Sequence, residues 1–202
     1  IIGIFFSNFG EIEFFNKLLF PLLGILVVVG FVDDLYELKI ISRLLIYFSI
    51  SCLAIFIFGS ENNYPSLSLS EFFFASLCFC LFINLYNFID GIDGLLATNS
   101  IISLVIAVFL LIMSSAPENL ILYCSILAAV QVGFLIFNWA PAKLFMGDAG
   151  SIPTGFLMGA IAIETSASDF LPAVAWIIIF SPLLTDSLGT LIFRLIRLEN
   201  IF

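Results

Sequence analysis

The stretch NLYNFIDGIDGLLAT, residues 84–98, decides how this chain folds, because it lies at the junction of two long apolar runs. The runs cover residues 72–89 and 95–113, and each is about as long as a membrane helix requires. Four polar side chains recur in the stretch at intervals of three residues: Asn84, Asn87, Asp90 and Asp93. An ionised aspartate near the middle of a bilayer costs roughly 2.5 to 3.5 kcal/mol, so such residues usually face a protein interior or a wet cavity.

Composition indicates a membrane protein. Of the 202 residues, 62% are hydrophobic and 10% are charged, whereas an average soluble domain has about 25% charged residues. The formal net charge of -9 leaves no basic patch for phosphates, so no nucleic-acid partner is expected. The sequence contains no histidine, which excludes His-based metal sites and Ser-His or Cys-His catalysis within these residues. Carboxylates remain as the candidate reactive groups.

Seven apolar runs are predicted to cross the membrane as helices of an all-α, polytopic transmembrane bundle. They cover residues 18–32, 40–58, 72–89, 95–113, 120–137, 144–163 and 170–184. The sequence shows neither an internal repeat nor a soluble linker, so residues 1–202 are expected to form a single integral-membrane catalytic domain. Because the chain opens with Ile1 rather than Met, we expect it to be the central fragment of a longer protein.

Four polar segments are predicted to lie on the same face of the bundle. From residues 30–39, two crossings lead to residues 87–94, two more to residues 137–151, and the last two to the segment that begins at Asp186. Five of the six bases fall on this face, and only Lys17 falls on the other. The five are Lys39, Arg43, Lys143, Arg194 and Arg197. By the positive-inside rule, this face is cytoplasmic.

The first two polar segments supply four of the candidate acids. Asp33 and Asp34 end the first span, and neighbouring side chains on a helix point about 100° apart, so only one of them is expected to face a given ligand. A solvated helix end is the simpler alternative. In the second segment, residues three apart share a helical stripe, so Asn84 and Asn87 are expected to line one cleft with Asp90. A polar stripe that only joins helices is the alternative here.

The third polar segment, NWAPAKLFMGDAGSIPTG at residues 138–155, places an isolated carboxylate, Asp148, among helix-breaking residues. Ser151 is predicted to cap the following helix, with Pro153 in its first turn. Such a helix N-terminus offers backbone N–H groups to a phosphate, while Asp148 is suited to a hard divalent cation. An ordinary capping loop is the alternative. Carboxylates gathered on one face favour Mg²⁺, or alternatively Mn²⁺, because both ions prefer oxygen ligands.

Three motifs, in this order, resemble the polyprenyl-phosphate N-acetylhexosamine-1-phosphate transferases of glycosyltransferase family 4. The motifs are GFVDDLYELKIISRLL, NLYNFIDGIDGLLAT and NWAPAKLFMGDAGS. This family includes O-antigen initiating enzymes and the phospho-MurNAc-pentapeptide transferase. In NLYNFIDGIDG and in SPLLTDSLGTLIFRLIRLENIF, residues 181–202, the chain looks more like the former. Members of the family also have further N-terminal spans and a His-containing cytoplasmic loop, neither of which is present in these residues.

The resemblance implies a role for each matched residue. The implied catalytic residues are Asp33, Asp34, Asp90 and Asp93. The implied Mg²⁺ ligands are Asp148 and Asp33. The implied substrate-binding residues are Asn84, Asn87, Gly91, Asn138, Phe145, Lys39 and Arg43, with Phe145 packing near the uracil.

The implied activity is transfer of an N-acetylhexosamine-1-phosphate from a UDP-sugar to undecaprenyl phosphate, with release of UMP. This step would initiate O-antigen or surface-polysaccharide synthesis in the bacterial inner membrane, with the active site on its cytoplasmic face, and the resemblance allows a homodimer. Two alternatives stay open: a phospho-MurNAc-pentapeptide transferase and, in a different class, a cation or proton transporter. A transporter predicts acids at mid-span, whereas the clustered acids here fall at the ends of spans.

Overall fold

A computed structural model describes residues 19–61 and 67–197, and all regular structure in these ranges is helical. The helices are α1 (Phe20–Tyr36), α2 (Ile40–Glu61), α3 (Leu69–Ile89), α4 (Leu95–Met113), α5 (Glu118–Asn138), α6 (Asp148–Ala167), α7 (Ala173–Ile179) and α8 (Ser181–Ile196). The predicted all-α class is confirmed. Lys17, the base assigned to the opposite face, lies outside the described residues.

Each of the seven predicted spans coincides with helix, but not every helix has the length and hydropathy of a membrane crossing. Four helices do: α2, α3, α4 and α5. Helices α7 and α8 qualify only together, as a pair bent by 63°. Length and composition of the described residues thus support four spans, or five with the bent pair, rather than the predicted seven. Helices α1 and α6 occupy the remaining two predicted places.

The last predicted span, residues 170–184, is broken between α7 and α8. Helix α7 ends at Ile179, and α8 begins at Ser181 with Pro182 in its first turn. Proline has no N–H to donate to the carbonyl four residues earlier, but it is tolerated at the start of a new helix. The Ser181 hydroxyl donates instead to the Ile178 carbonyl oxygen at 2.7 Å. The sequence therefore favours a break at this point, not one continuous helix.

Helix α6 packs against both α1 and α3, while α2 packs on α3 and α4 on α5. Small residues at two of these crossings let the helices approach closely. A Cβ atom on Gly155 of α6 would lie 2.6 Å from the Cβ atom of Tyr86 in α3. A Cβ atom on Gly30 of α1 would lie 2.4 Å from the backbone carbonyl oxygen of Asp148. The end of α1 is therefore pressed directly against the beginning of α6.

We predict that Gly30→Ala destabilises the protein, because the added methyl group would force the backbones of α1 and α6 apart. Overpacking of this kind typically costs about 1 to 3 kcal/mol. Gly24→Ala is the matched control, since the same helix has open space around a Cβ atom at that position. Thermal unfolding of the full-length protein in detergent should show a lower midpoint for Gly30→Ala alone. Equal midpoints for the two variants would contradict this close approach.

Candidate active site

The three polar segments meet at one end of the bundle. The end of α1 contacts the beginning of α6, and the end of α3 contacts α6 as well. The loop after α3 is bonded to the segment between α5 and α6. The connecting hydrogen bonds include Asp34 to Asp148, Asn87 to Ser151, and Gly94 to Asn138. Residues far apart in the sequence thus form one polar cluster.

Arg43 of α2 joins two acids from different helices. The Asp33 carboxylate is buried, with 4% of the side chain exposed, and it accepts hydrogen bonds of 2.7 Å from Arg43 Nη1 and from the Leu38 backbone N–H. The same Nη1 atom lies 3.3 Å from Oδ2 of Asp148. Two carboxylates brought together would repel each other without such a cation. Arg43 therefore stabilises the pair predicted to bind metal.

Asp34 caps the N-terminus of α6. Its two carboxylate oxygens accept the backbone N–H groups of Asp148 at 2.9 Å and Ala149 at 3.1 Å. A negative group at a helix N-terminus is favoured by the helix dipole. The helix begins after Gly147, whose φ of +63° suits glycine, and a Cβ atom there would lie 2.8 Å from Asp34 Oδ2. Asp33 and Asp34 thus have different partners, as the 100° spacing on a helix requires.

Two predictions about the start of α6 are wrong. Ser151 does not cap the helix: it lies inside α6, and its hydroxyl donates to Asn87 Oδ1 at 2.8 Å. Pro153 lies beyond the first turn, because α6 begins at Asp148. The reason is that the cap comes from Asp34 on another helix. The first N–H groups of α6, which were expected to be open to a phosphate, donate to that carboxylate instead.

Helix α3 ends at Ile89, so Asp90 forms its C-cap and Asn87 lies in its last turn. The Asn87 side chain also hydrogen-bonds the Asp148 carboxylate. Asp90 is half-buried, and burial raises the pKa of its carboxyl to about 6, with a smaller upward contribution from the charge of Asp34. A hydrogen bond from the Gly147 backbone opposes this rise. The second motif thus meets the third at Gly147, Asp148 and Ser151.

Asn138 and Asp93 connect two loops through backbone groups. Asn138 is buried; its Oδ1 accepts the Gly94 N–H at 2.8 Å, and its Nδ2 donates to the Leu144 carbonyl at 2.8 Å. The Asp93 carboxylate accepts the Ala142 N–H at 2.9 Å. These bonds fix the loop after α3 against the segment before α6. In this structure, both residues therefore organise the site through the backbone.

Four of the predicted substrate-binding residues stay outside this hydrogen-bond network. Lys39, Gly91 and Phe145 are exposed, and Asn84 is half-buried one turn before Asn87. Arg194 of α8, which was not predicted as a site residue, lies with its guanidinium 5.5 Å from the centre of the Phe88 ring. In the sequence, the only indication of this position is the parity of the spans, which predicts that Arg194 lies on this face of the bundle.

A separate apolar cavity of about 670 Å³ lies among α2, α3, α6, α7 and α8. Its wall includes Phe58, Phe79, Gly159 and Trp176, and none of the acidic residues described above contributes to it. The acidic residues of the site therefore lie in the polar cluster and not in this cavity.

The helical fold and the cluster of acids at one bundle end define a membrane protein with a carboxylate site. The chain belongs to glycosyl transferase family 4, whose family model matches residues 17–166. The predicted family resemblance is thereby confirmed.

Similar proteins include a phospho-N-acetylmuramoyl-pentapeptide-transferase of Streptococcus uberis. It is 32% identical over 191 residues, which cover 81% of this chain and 56% of that protein. A putative glycosyltransferase of Methanocaldococcus jannaschii is 28% identical over 186 residues, covering 92% of this chain and 59% of that protein. The chain spans little more than half the length of these two relatives.

We predict that Asn138→Ala lowers stability, because it leaves the buried Gly94 N–H and the Leu144 carbonyl without their partner. The unsatisfied Gly94 N–H costs about 1 to 3 kcal/mol, whereas the carbonyl of the exposed Leu144 can bind water instead. Asn84→Ala, at a half-buried position outside the network, is the control for thermal unfolding of the full-length protein. A normal melting temperature combined with weakened UDP-sugar binding in Asn138→Ala would instead support the substrate contact implied by the family resemblance.

We predict that Asp90→Asn stabilises the protein at pH 8. The folded-state pKa of about 6 lies above the ordinary value of 3.8, so ionisation of Asp90 opposes folding fully above pH 6 and ceases to do so near pH 4. Because the carboxyl is partly exposed and solvent screens its charge, the effect should be well below the roughly 3 kcal/mol that the full difference in pKa would give. The melting temperature should rise at pH 8 and change little at pH 3, below both pKa values. A lower melting temperature at pH 8 would show that the folded protein stabilises the ionised carboxylate.

Proposed function

We propose that the full-length protein transfers an N-acetylhexosamine-1-phosphate from a UDP-sugar to undecaprenyl phosphate and releases UMP. The observation that carries this proposal is the gathering of Asp33, Asp34, Asp90 and Asp148 at one end of the bundle, where Arg43 contacts Asp33 and Asp148. Membership of glycosyl transferase family 4 supports it. A transporter is less well supported, because these acids lie at helix ends and not along the length of a span.

In the direct reaction, an oxygen of the lipid phosphate attacks the phosphorus attached to the sugar. A new P–O bond forms to the lipid, the P–O bond to UMP breaks, and its electron pair leaves with UMP. We propose that the Arg43 guanidinium offsets negative charge near the reacting diphosphate. The alternative route passes through an aspartyl-phosphate. Asp34 is then the better candidate nucleophile, because it is exposed whereas Asp33 is buried.

Asp148 and Asp33 are the residues we propose to hold Mg²⁺, with Mn²⁺ as the alternative. Mg²⁺ typically binds one or two protein carboxylates and completes its coordination shell with waters and substrate oxygens. The two carboxylates of Asp148 and Asp33 match this pattern. Arg43 already engages one oxygen of each acid. Within residues 19–61 and 67–197, no group of three His, Cys, Asp or Glu side chains is arranged to hold an ion. When bound, the ion would neutralise charge on the diphosphate.

The phospho-MurNAc-pentapeptide transferase reaction is the second candidate. It is favoured by the name of the Streptococcus uberis relative, whereas the O-antigen role rests on the second motif and on the segment 181–202. In either case, we propose an inner-membrane location with the site on the cytoplasmic face. Lys39, Arg43, Lys143 and Arg194 all belong to the segments that form this end of the bundle.

The deciding experiment incubates membranes containing the full-length protein with undecaprenyl phosphate, Mg²⁺ and one radiolabelled donor at a time. The donors are a panel of UDP-N-acetylhexosamines and UDP-MurNAc-pentapeptide. A labelled lipid product, with UMP released in equal amount, supports the transferase. The donor that is used separates the two candidates. No product with any donor would refute both.

We predict that Asp34→Asn and Asp148→Asn each lower the transfer rate by about 10² to 10⁴, the usual loss for an essential proton-transfer or charge-stabilising group. Asp169→Asn is the control, because Asp169 is exposed and belongs to the connection between α6 and α7. EDTA should also abolish activity, and added Mg²⁺ should restore it. Near-normal rates in both variants, or full activity in EDTA, would contradict the proposed site.

A further inference from the structure

Helix α2 carries three buried polar atoms that have no hydrogen-bond partner within the described part of the chain. They are Arg43 Nε, the Tyr47 hydroxyl and the Ser51 Oγ. Tyr47 and Ser51 are 0% exposed. The three residues are spaced four apart, so their side chains share one face of α2. This face leads from the acid cluster into the interior of the bundle.

Ser51 differs from other serines in these helices. Ser49 and Ser76 donate to the carbonyl oxygen four residues earlier, at 2.7 and 2.8 Å. Such a bond is the usual way to satisfy a helical hydroxyl. The Ser51 hydroxyl does not make it, although an unsatisfied buried polar group costs about 1 to 3 kcal/mol. A buried polar atom of this kind requires a partner, and ordered water is the usual one.

The Tyr47 hydroxyl is directed towards the acid cluster. A long side chain on a helix leans towards the helix N-terminus, which from Tyr47 is the direction of Arg43. The hydroxyl is also close enough to interact electrostatically with Arg43, Asp148 and Asp33. Arg43 is held through Nη1 at its distal end, while its Nε has no partner among the residues that the structure describes. Within these residues, the guanidinium is therefore anchored on one side only.

We propose that Arg43 Nε, Tyr47 and Ser51 form a polar column that binds internal water and fixes the guanidinium between Asp33 and Asp148. Water suits this site, because Nε can only donate a hydrogen bond whereas both hydroxyls can donate and accept. Tyr47 is then a positioning residue that acts on the reaction through Arg43. This inference rests on the proposed transferase function, which it deepens.

The test is a double-mutant cycle in the full-length protein, with Tyr47→Phe and Arg43→Lys made singly and together. Lysine keeps the positive charge but lacks Nε. Tyr86→Phe is the matched control, because Tyr86 is equally buried and its hydroxyl has a protein partner, Ser100 Oγ at 3.4 Å. The measurements are kcat and KM for transfer and, independently of activity, the thermal unfolding midpoint in detergent.

We expect Tyr47→Phe to lower kcat more than it changes KM, and Tyr86→Phe to leave kcat unchanged. In the Arg43→Lys background, Tyr47→Phe should have little further effect, so the cycle should show a coupling of at least about threefold. A purely structural role of Tyr47 would lower the unfolding midpoint and leave kcat unchanged. If the effects of the two substitutions are additive both in kcat and in the unfolding midpoint, the proposed polar column is wrong.

If no donor yields a lipid product, the proposed function fails while the column is still decided by the unfolding cycle. Coupling between the two substitutions in the unfolding midpoint would then support it, and additive shifts would overturn it.

Discussion

The site depends on the contact between the end of α1 and the beginning of α6. Gly30 lets the two backbones touch, and one turn later the Asp34 carboxylate accepts the first N–H groups of α6. This contact fixes where Asp148 lies and turns the neighbouring Asp33 inward, towards Arg43. The third motif therefore takes its position from the first, 114 residues earlier in the chain. Without that contact, Asp33 and Asp148 would not be held close enough to share Arg43.

The arrangement also accounts for so many acids at the end of an apolar bundle. Asp33 and Asp148 share Arg43, Asp34 interacts with the positive end of a helix dipole, and Asp93 accepts a backbone N–H. Asp90 is half-buried, and this burial raises the pKa of its carboxyl. Such a cluster of oxygen ligands and one guanidinium is suited to phosphate chemistry at a membrane face.

The apolar runs predicted the helices, and the parity of the spans, together with the positions of the bases, predicted that the polar segments share one face. Contacts that depend on three-dimensional neighbours could not be predicted. Ser151 has the local sequence signature of an N-cap, but the carboxylate of Asp34 on α1 caps α6 instead. Asn138 resembles a ligand-binding amide, yet backbone groups brought near it by the fold satisfy it. Pro182 indicated the break between α7 and α8 in the sequence itself. Nothing in the local sequence indicated that Arg43 Nε, Tyr47 and Ser51 would be buried together on one face of α2.

Photoaffinity labelling of the full-length protein with a photoreactive UDP-sugar, followed by mapping of the labelled peptides, tests the central claim most directly. The claim is that the three polar segments form one nucleotide-sugar site. We expect label in residues 84–98 and 137–151, with loss of label when unlabelled UDP-sugar competes. Competable label confined to the opposite ends of the helices, or no competable label in these two segments, would contradict the account.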